Sequence, residues 1–183
     1  MQLSSRTGRW WMRGKRSPWW AVISLLVGLV VLAGPTGCAS QPRVADHSFS
    51  FHGWNDGWAE KVDLLAYNYG GKMRQLSAQV RPDQRTVGSQ SGTHGVIPVG
   101  DFLYVKWRLR ATGEMFEKTV DLKGKLPEDM KDHEITFVID GGDLYVYLVT
   151  PTPQPPSVRK PPLRTWRSRF NVAREIYPTL QQP

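Results

Sequence analysis

The chain has 183 residues, with 24 Lys and Arg against 16 Asp and Glu, for a formal net charge of +8. That surplus is uneven: residues 1–37 carry +5, residues 38–150 carry −2, and residues 151–183 carry +5. A nearly neutral middle argues against nucleic-acid binding, and a single cysteine excludes an internal disulfide framework.

The N-terminal segment is basic, with Arg6, Arg9, Arg13, Lys15 and Arg16 and no acid. An uncharged run from Pro18 to Gly37 follows. This is the order of a secretory signal. Its apolar core, Trp19 to Gly34, falls short of the roughly 20 residues a spanning helix needs. The run ends in PTGC, which resembles the lipobox of bacterial lipoproteins, with Pro35 where that family prefers Leu. The resemblance implies cleavage before Cys38, lipidation of its thiol and a membrane-anchored mature chain. A secretory signal cut near Ala39 and an uncleaved anchor are the alternatives. By the sorting rule of enteric bacteria, Ala39 and Ser40 point to the outer membrane, with the protein facing the periplasm.

Residues 38–46 read as a tether. His47 to His52, HSFSFH, alternates with period two, placing Phe49 and Phe51 on one face and Ser48, Ser50 and His52 on the other, as in a half-buried strand. Trp54-Asn55-Asp56-Gly57-Trp58 is a turn between aromatics. Gly70-Gly71 reads as a two-residue hairpin joining 61–69 to 72–80, with Leu65 opposite Leu76 and Tyr67 opposite Arg74. Arg81 to Gly95 is polar, without sustained period, and reads as a connecting loop, with a short strand inside it as the alternative. In Phe102 to Arg110 the residues Leu103, Val105, Trp107 and Leu109 share an apolar face. Lys106, Arg108 and Arg110 share the other. Pairing Arg110 with Met115 sets Val105 against Val120 and Arg108 against Glu117.

Residues 133–140 and 143–150 flank Gly141-Gly142, a second hairpin, and are apolar on both faces, as central strands are. About seven strands with regular turn signals predict an all-β fold, a single antiparallel β-sandwich over residues 47–150. Residues 151–183 form a Pro-rich basic tail, extended at first. Within it, 164–180 fits a helix face and a strand equally, and would dock on the sandwich edge or lie on a membrane or partner.

No catalytic pattern emerges. The four histidines lack metal-ligand spacing, and neither a metal nor a cofactor is implied. Gly88-Ser89-Gln90-Ser91-Gly92 resembles a nucleophile elbow but has Gln90 at its centre. Asp140 and Asp143 are explained by the turn they flank. Candidate contact residues for a protein partner are Trp54, Trp58, Lys106, Arg108, Arg110 and His94. Lys106, Arg108 and Arg110 could meet an acidic surface, or be neutralised by Glu117 and Asp121. Trp54 and Trp58, with Tyr67, Tyr69 and Tyr104, fit core and edge packing of a small sandwich first, and could instead stack on sugars, the chemistry of a cell-wall or glycan-binding module.

WNDGW, VDLLAYNYG, IPVGDFLYVKWR, TGE followed by VDL, LYVYLV and the terminal REIYP resemble a group of small proteobacterial lipoproteins without assigned activity. Some lipoproteins of this kind are similar to immunity proteins against type VI secretion phospholipase effectors. The resemblance implies a non-enzymatic protein-binding domain held at the membrane by lipid. If Cys38 carries that lipid, Cys38→Ala releases the protein from the membrane fraction or blocks its processing. Unchanged fractionation and size would count against it.

Overall fold

The computed structural model describes residues 43–71, 75–155 and 163–178. Cys38 and the N-terminal segment expected to be a signal lie outside them. Two sheets pack face to face as a β-sandwich. The strands are β1 (Val44–His52), β2 (Val62–Gly70), β3 (Gln75–Gln79), β4 (Gln90–Pro98), β5 (Phe102–Leu109), β6 (Met115–Asp121), β7 (Glu134–Asp140), β8 (Asp143–Pro153) and β9 (Asn171–Tyr177). One sheet runs β4-β1-β7-β8-β9 and the other β3-β2-β5-β6. All neighbours are antiparallel except β1 and β7, which pair in parallel through Ser48–Glu134 and Phe49–Ile135.

The alternations place their apolar residues inward as expected. Phe49 and Phe51 from β1, and Leu103, Val105 and Trp107 from β5, are buried. β7 is buried over five successive residues, since it lies inside its sheet with cover on both faces. Between the sheets, Phe49 stacks on Tyr69 at 4.8 Å and Phe51 meets Phe137 at 4.8 Å. Trp58 lies 6.2 Å from Phe137. His47 is buried at the margin of this cluster. Its Nδ1 faces the Ala45 carbonyl at 3.0 Å and so donates, leaving Nε2 to accept from the Tyr69 hydroxyl at 2.9 Å. Burial holds the imidazole below its ordinary pKa, which keeps it neutral.

The Gly141-Gly142 hairpin forms as expected, with Asp140 opposite Asp143. Gly141 has φ 60°, the left-handed geometry that a two-residue hairpin needs and that glycine adopts without penalty. Gly142 lets Phe116 approach: a Cβ there would stand 2.8 Å from the ring.

Several expectations are corrected. Nine strands, not about seven, occur among the described residues. The connection at 81–95 does hold a strand, and a long one: β4 takes its last six residues and continues to Pro98, antiparallel to β1 from Val44–Pro98 to His52–Gln90. Its edge position leaves most side chains exposed, so no apolar alternation marks it. β1 begins at Val44, which shortens the expected tether. The first hairpin is wider than two residues, because Gly70 continues β2 and pairs with Gln75 on one side and Phe102 on the other. Tyr69 therefore faces Leu76, and Tyr67 faces Ala78. In the β5–β6 hairpin Arg108, not Arg110, faces Met115, and Leu103 faces Val120. The shift of two residues keeps each face. It arises because the Arg110 N–H leaves the hairpin for the Lys61 carbonyl at 2.9 Å, while Leu109 closes the turn on Glu114.

The sandwich also extends past residue 150. β8 runs through Pro151 to Pro153, where its pairing with β9 is interrupted. The tail supplies both a turn and a strand: a 3-10 turn at Trp166–Arg169, then β9 on the edge of β8. Docking back on the sandwich is thus the outcome for 164–178. Tyr147 anchors it by donating to Glu175 at 3.0 Å.

Gly100 illustrates how tightly the core is closed, since a Cβ there would fall 2.5 Å from the Tyr69 ring. Tyr69 is held by His47 and stacked on Phe49, so it has nowhere to yield. Gly100→Ala is expected to destabilise the fold by about 1–3 kcal/mol, measured as a lower urea midpoint at unchanged m.

Candidate functional site

The turn after β1, the β5–β6 turn and the β7–β8 turn meet at one end of the sandwich. Trp107 ties two of them together by donating from Nε1 to the Gly141 carbonyl at 2.9 Å. At this end Asp63 opens β2 on the outer face of its sheet, with its side chain only 1% exposed. A lone buried carboxylate would be strongly disfavoured. Three guanidinium groups answer it: Arg85 Nε and Arg108 Nη2 donate to Oδ2 at 2.9 and 3.0 Å, and Arg110 Nε donates to Oδ1 at 2.7 Å. Arg110 also reaches the Glu60 carbonyl at 3.2 Å. Burial alone would raise the Asp63 pKa, but the hydrogen bonds from Arg85, Arg108 and Arg110 outweigh it and hold the carboxyl below its ordinary value.

Each arginine arrives by a different route. Arg108 pairs with Asp63 directly across β5 and β2. Arg110 is delivered by the turn whose N–H binds Lys61. Arg85 depends on an irregularity in β2: the register breaks between Leu64 and Ala66. The Leu64 carbonyl is then free to accept from both the Val87 N–H and the Thr86 hydroxyl, each at 2.9 Å. Those bonds hold the 80–89 connection against β2 and bring Arg85 over the carboxylate. Three positive charges on one negative leave a surplus of about two on a partly exposed surface; Arg85 is 64% exposed. Lys106 extends the row but is paired with Glu117 at 3.4 Å.

The expected contact residues do not form one patch. Lys106, Arg108 and Arg110 share the outer face of the four-stranded sheet, although Glu117 neutralises only Lys106. The acid that holds the two arginines is Asp63, on the opposite neighbour strand. His94 lies in the other sheet, where its Nδ1 meets the Ser48 hydroxyl at 2.8 Å. Its Nε2 is 3.9 Å from Asp46 Oδ1, too far for a hydrogen bond, and the ring is exposed to water. Ser91 and His94 stand three apart on β4 and face opposite sides, so they cannot act together. Trp54 is 59% exposed at its turn, while Trp58 is 2% exposed in the core. The two therefore make no platform, and Tyr69 is buried too. The reason is Gly53, which lets the Trp58 ring pack flush against the turn. Among the described residues no three His, Cys, Asp or Glu stand close enough to hold a metal ion.

Two residues of the cluster, Asp63 and Arg85, were not expected. Asp63 had a visible signal, a single acid inside an otherwise apolar strand facing Arg108 and Arg110. Arg85 had none, because its place follows from the irregularity in β2. Comparison with protein-family models, with curated proteins and with solved structures finds no match for this chain.

Removing the carboxylate leaves three arginines facing one another. Asp63→Asn should therefore cost about 3 kcal/mol at neutral pH, read from urea unfolding. The Asp63 pKa in the folded state lies below the ordinary 3.8. Its contribution is thus complete above that value and is lost as the pH falls through the lower, folded one. The Asn variant should lack this acid-side component of the wild-type stability curve.

Proposed function

We propose that this chain is a lipoprotein of the cell envelope, anchored through Cys38 and facing the periplasm, whose sandwich binds a protein partner and performs no catalysis. Anchorage in the outer membrane rather than the inner belongs to the same proposal. The observation that carries it is the Asp63 cluster. Its arginines are always charged and cannot exchange protons at physiological pH. They are also held in place by a shared buried carboxylate, so little side-chain freedom is lost when they engage an acidic surface. Such a group is suited to recognition rather than to proton transfer.

The location supports the same reading. Val44 opens β1 at one end of the sandwich, and the arginines lie at the end where β1 finishes. A partner that meets the arginines docks at the end remote from Val44. An antibacterial effector with an acidic face, intercepted at the membrane it attacks, is a partner of this kind. Binding it would make the chain an immunity protein, and anchoring would raise the local concentration where protection is needed.

The test is a pulldown of the full-length protein in detergent against candidate secreted effectors, repeated at low and high salt. A salt-sensitive complex is expected, weakened about tenfold by Arg85→Gln, since a charge-assisted hydrogen bond contributes about 1.5–3 kcal/mol. Arg85 is exposed enough for the variant to fold. Absence of a stable protein partner, or a complex indifferent to both salt and Arg85, would overturn the reading.

A further inference from the structure

Each sheet of the sandwich ends in two edge strands, whose outward N–H and C=O groups are a template for further pairing. Short length, charged side chains and proline are the usual means of blunting such an edge. Three of the four edges here are blunted. β3 is five residues long, β6 carries Glu117, Lys118 and Asp121, and β9 carries Arg174 and Glu175 and is followed by Pro178. The fourth, β4, is nine residues long, has no Asp, Glu, Lys or Arg, and has no proline before its last residue, Pro98.

β4 is also regular and open. Its pairing with β1 is unbroken over all nine residues, Gly95 at φ 125° included. On its other side no backbone group of β4 makes a hydrogen bond among the described residues. His94 lies on the outer face of the sheet with Ser48, and Val96, two residues on, shares that face. Val96 is 73% exposed, the highest value of any large apolar side chain among the described residues.

We propose that β4 pairs with β4 of a second copy, antiparallel about a two-fold axis at His94, joining two five-stranded sheets into one of ten strands. The strand is fitted to itself in this register. Counting outward from His94, Thr93 of one copy meets Gly95 of the other, Gly92 meets Val96, and Ser91 meets Ile97. Each larger side chain faces a smaller one. Val96 gains cover over Gly92, where no side chain competes for the space, and no like charges stand opposed at neutral pH. A strand of unrelated sequence would need no such internal match, which is why the occupant is a copy of this chain. One strand edge buries less than the roughly 1,200–2,000 Å² of a stable interface, so the association is weak and depends on concentration. The edge belongs to the other sheet from the Asp63 cluster, and the pairing is independent of the function proposed above.

The full-length protein in detergent should be followed by sedimentation equilibrium up to about 1 mM, where contacts worth some 4 kcal/mol become visible. A monomer–dimer equilibrium is expected. His94→Glu, at a side chain that is 69% exposed, sets two carboxylates face to face and should weaken the dimer about fivefold while leaving the monomer folded. His94→Cys supplies the positional test. Directly opposed residues of antiparallel strands have Cα atoms about 4.5–5.5 Å apart, within the span of a disulfide. Mild oxidation should therefore link two copies of this variant beyond the level of the parent chain, whose sole cysteine is Cys38. A protein that stays monomeric over the whole range would overturn the proposal. So would a dimer that His94→Cys fails to link, or one indifferent to His94→Glu, since either would be joined through another surface.

Discussion

One buried carboxylate organises an entire end of this sandwich. Asp63 draws Arg108 from the neighbouring strand, Arg110 from the turn that follows it and Arg85 from the connection after β3. Without the arginines its burial would be prohibitive; without Asp63 the guanidinium groups would repel one another in a confined space. The dependence is mutual, and it couples local choices that otherwise look unrelated. The break in β2 frees the Leu64 carbonyl, which anchors Thr86 and Val87 and so places Arg85. The hairpin shift in β5–β6 follows the same logic, with Arg110 turned back toward β2 instead of onward into β6.

The hydrophobic core supplies the frame for this polar cluster. Phe49, Phe51, Trp58, Tyr69 and Phe137 fill the space between the sheets, and glycines at 53, 100 and 142 allow their neighbours' rings to reach the backbone. A fold closed this tightly needs no disulfide among its described residues. The docked tail completes it on the outer face of the five-stranded sheet, where Arg167 pairs with Glu134 at 3.1 Å and Arg164 with Asp140. Two of the tail's six cations are thereby paired within the fold. Near Asp63 three guanidinium groups share one carboxylate, a local surplus that the net charge of the whole chain does not reveal.

The site was only partly legible from residues alone. Arg108 and Arg110 stood out as a cationic row, and the acid opposite them was sought in Glu117 and Asp121 of the following strand. A strand inside a sheet has two neighbours, however, and nothing local tells a side chain which of them it will meet. Trp58 follows the core-packing reading and not the contact reading, for a related reason. Aromatics flanking a turn look alike whether they point to solvent or fold beneath it, and Gly53 was the small residue that admitted the ring. His94 was a candidate contact residue beside the basic row, but β4 carries it to the other sheet.

By itself the sequence determined the all-β character, the inward faces of β1, β5 and β7, and the Gly141-Gly142 hairpin. Each is written in period-two alternation or in the backbone demands of adjacent residues, and both are local. Only the tertiary structure decided that β4 is a strand, that the tail turns once and then adds β9, and that the β5–β6 register slips by two. It also decided that Asp63 lies beneath three arginines. Those outcomes depend on hydrogen bonds and charge pairing between segments remote in the chain, where burial rather than local pattern selects the partner.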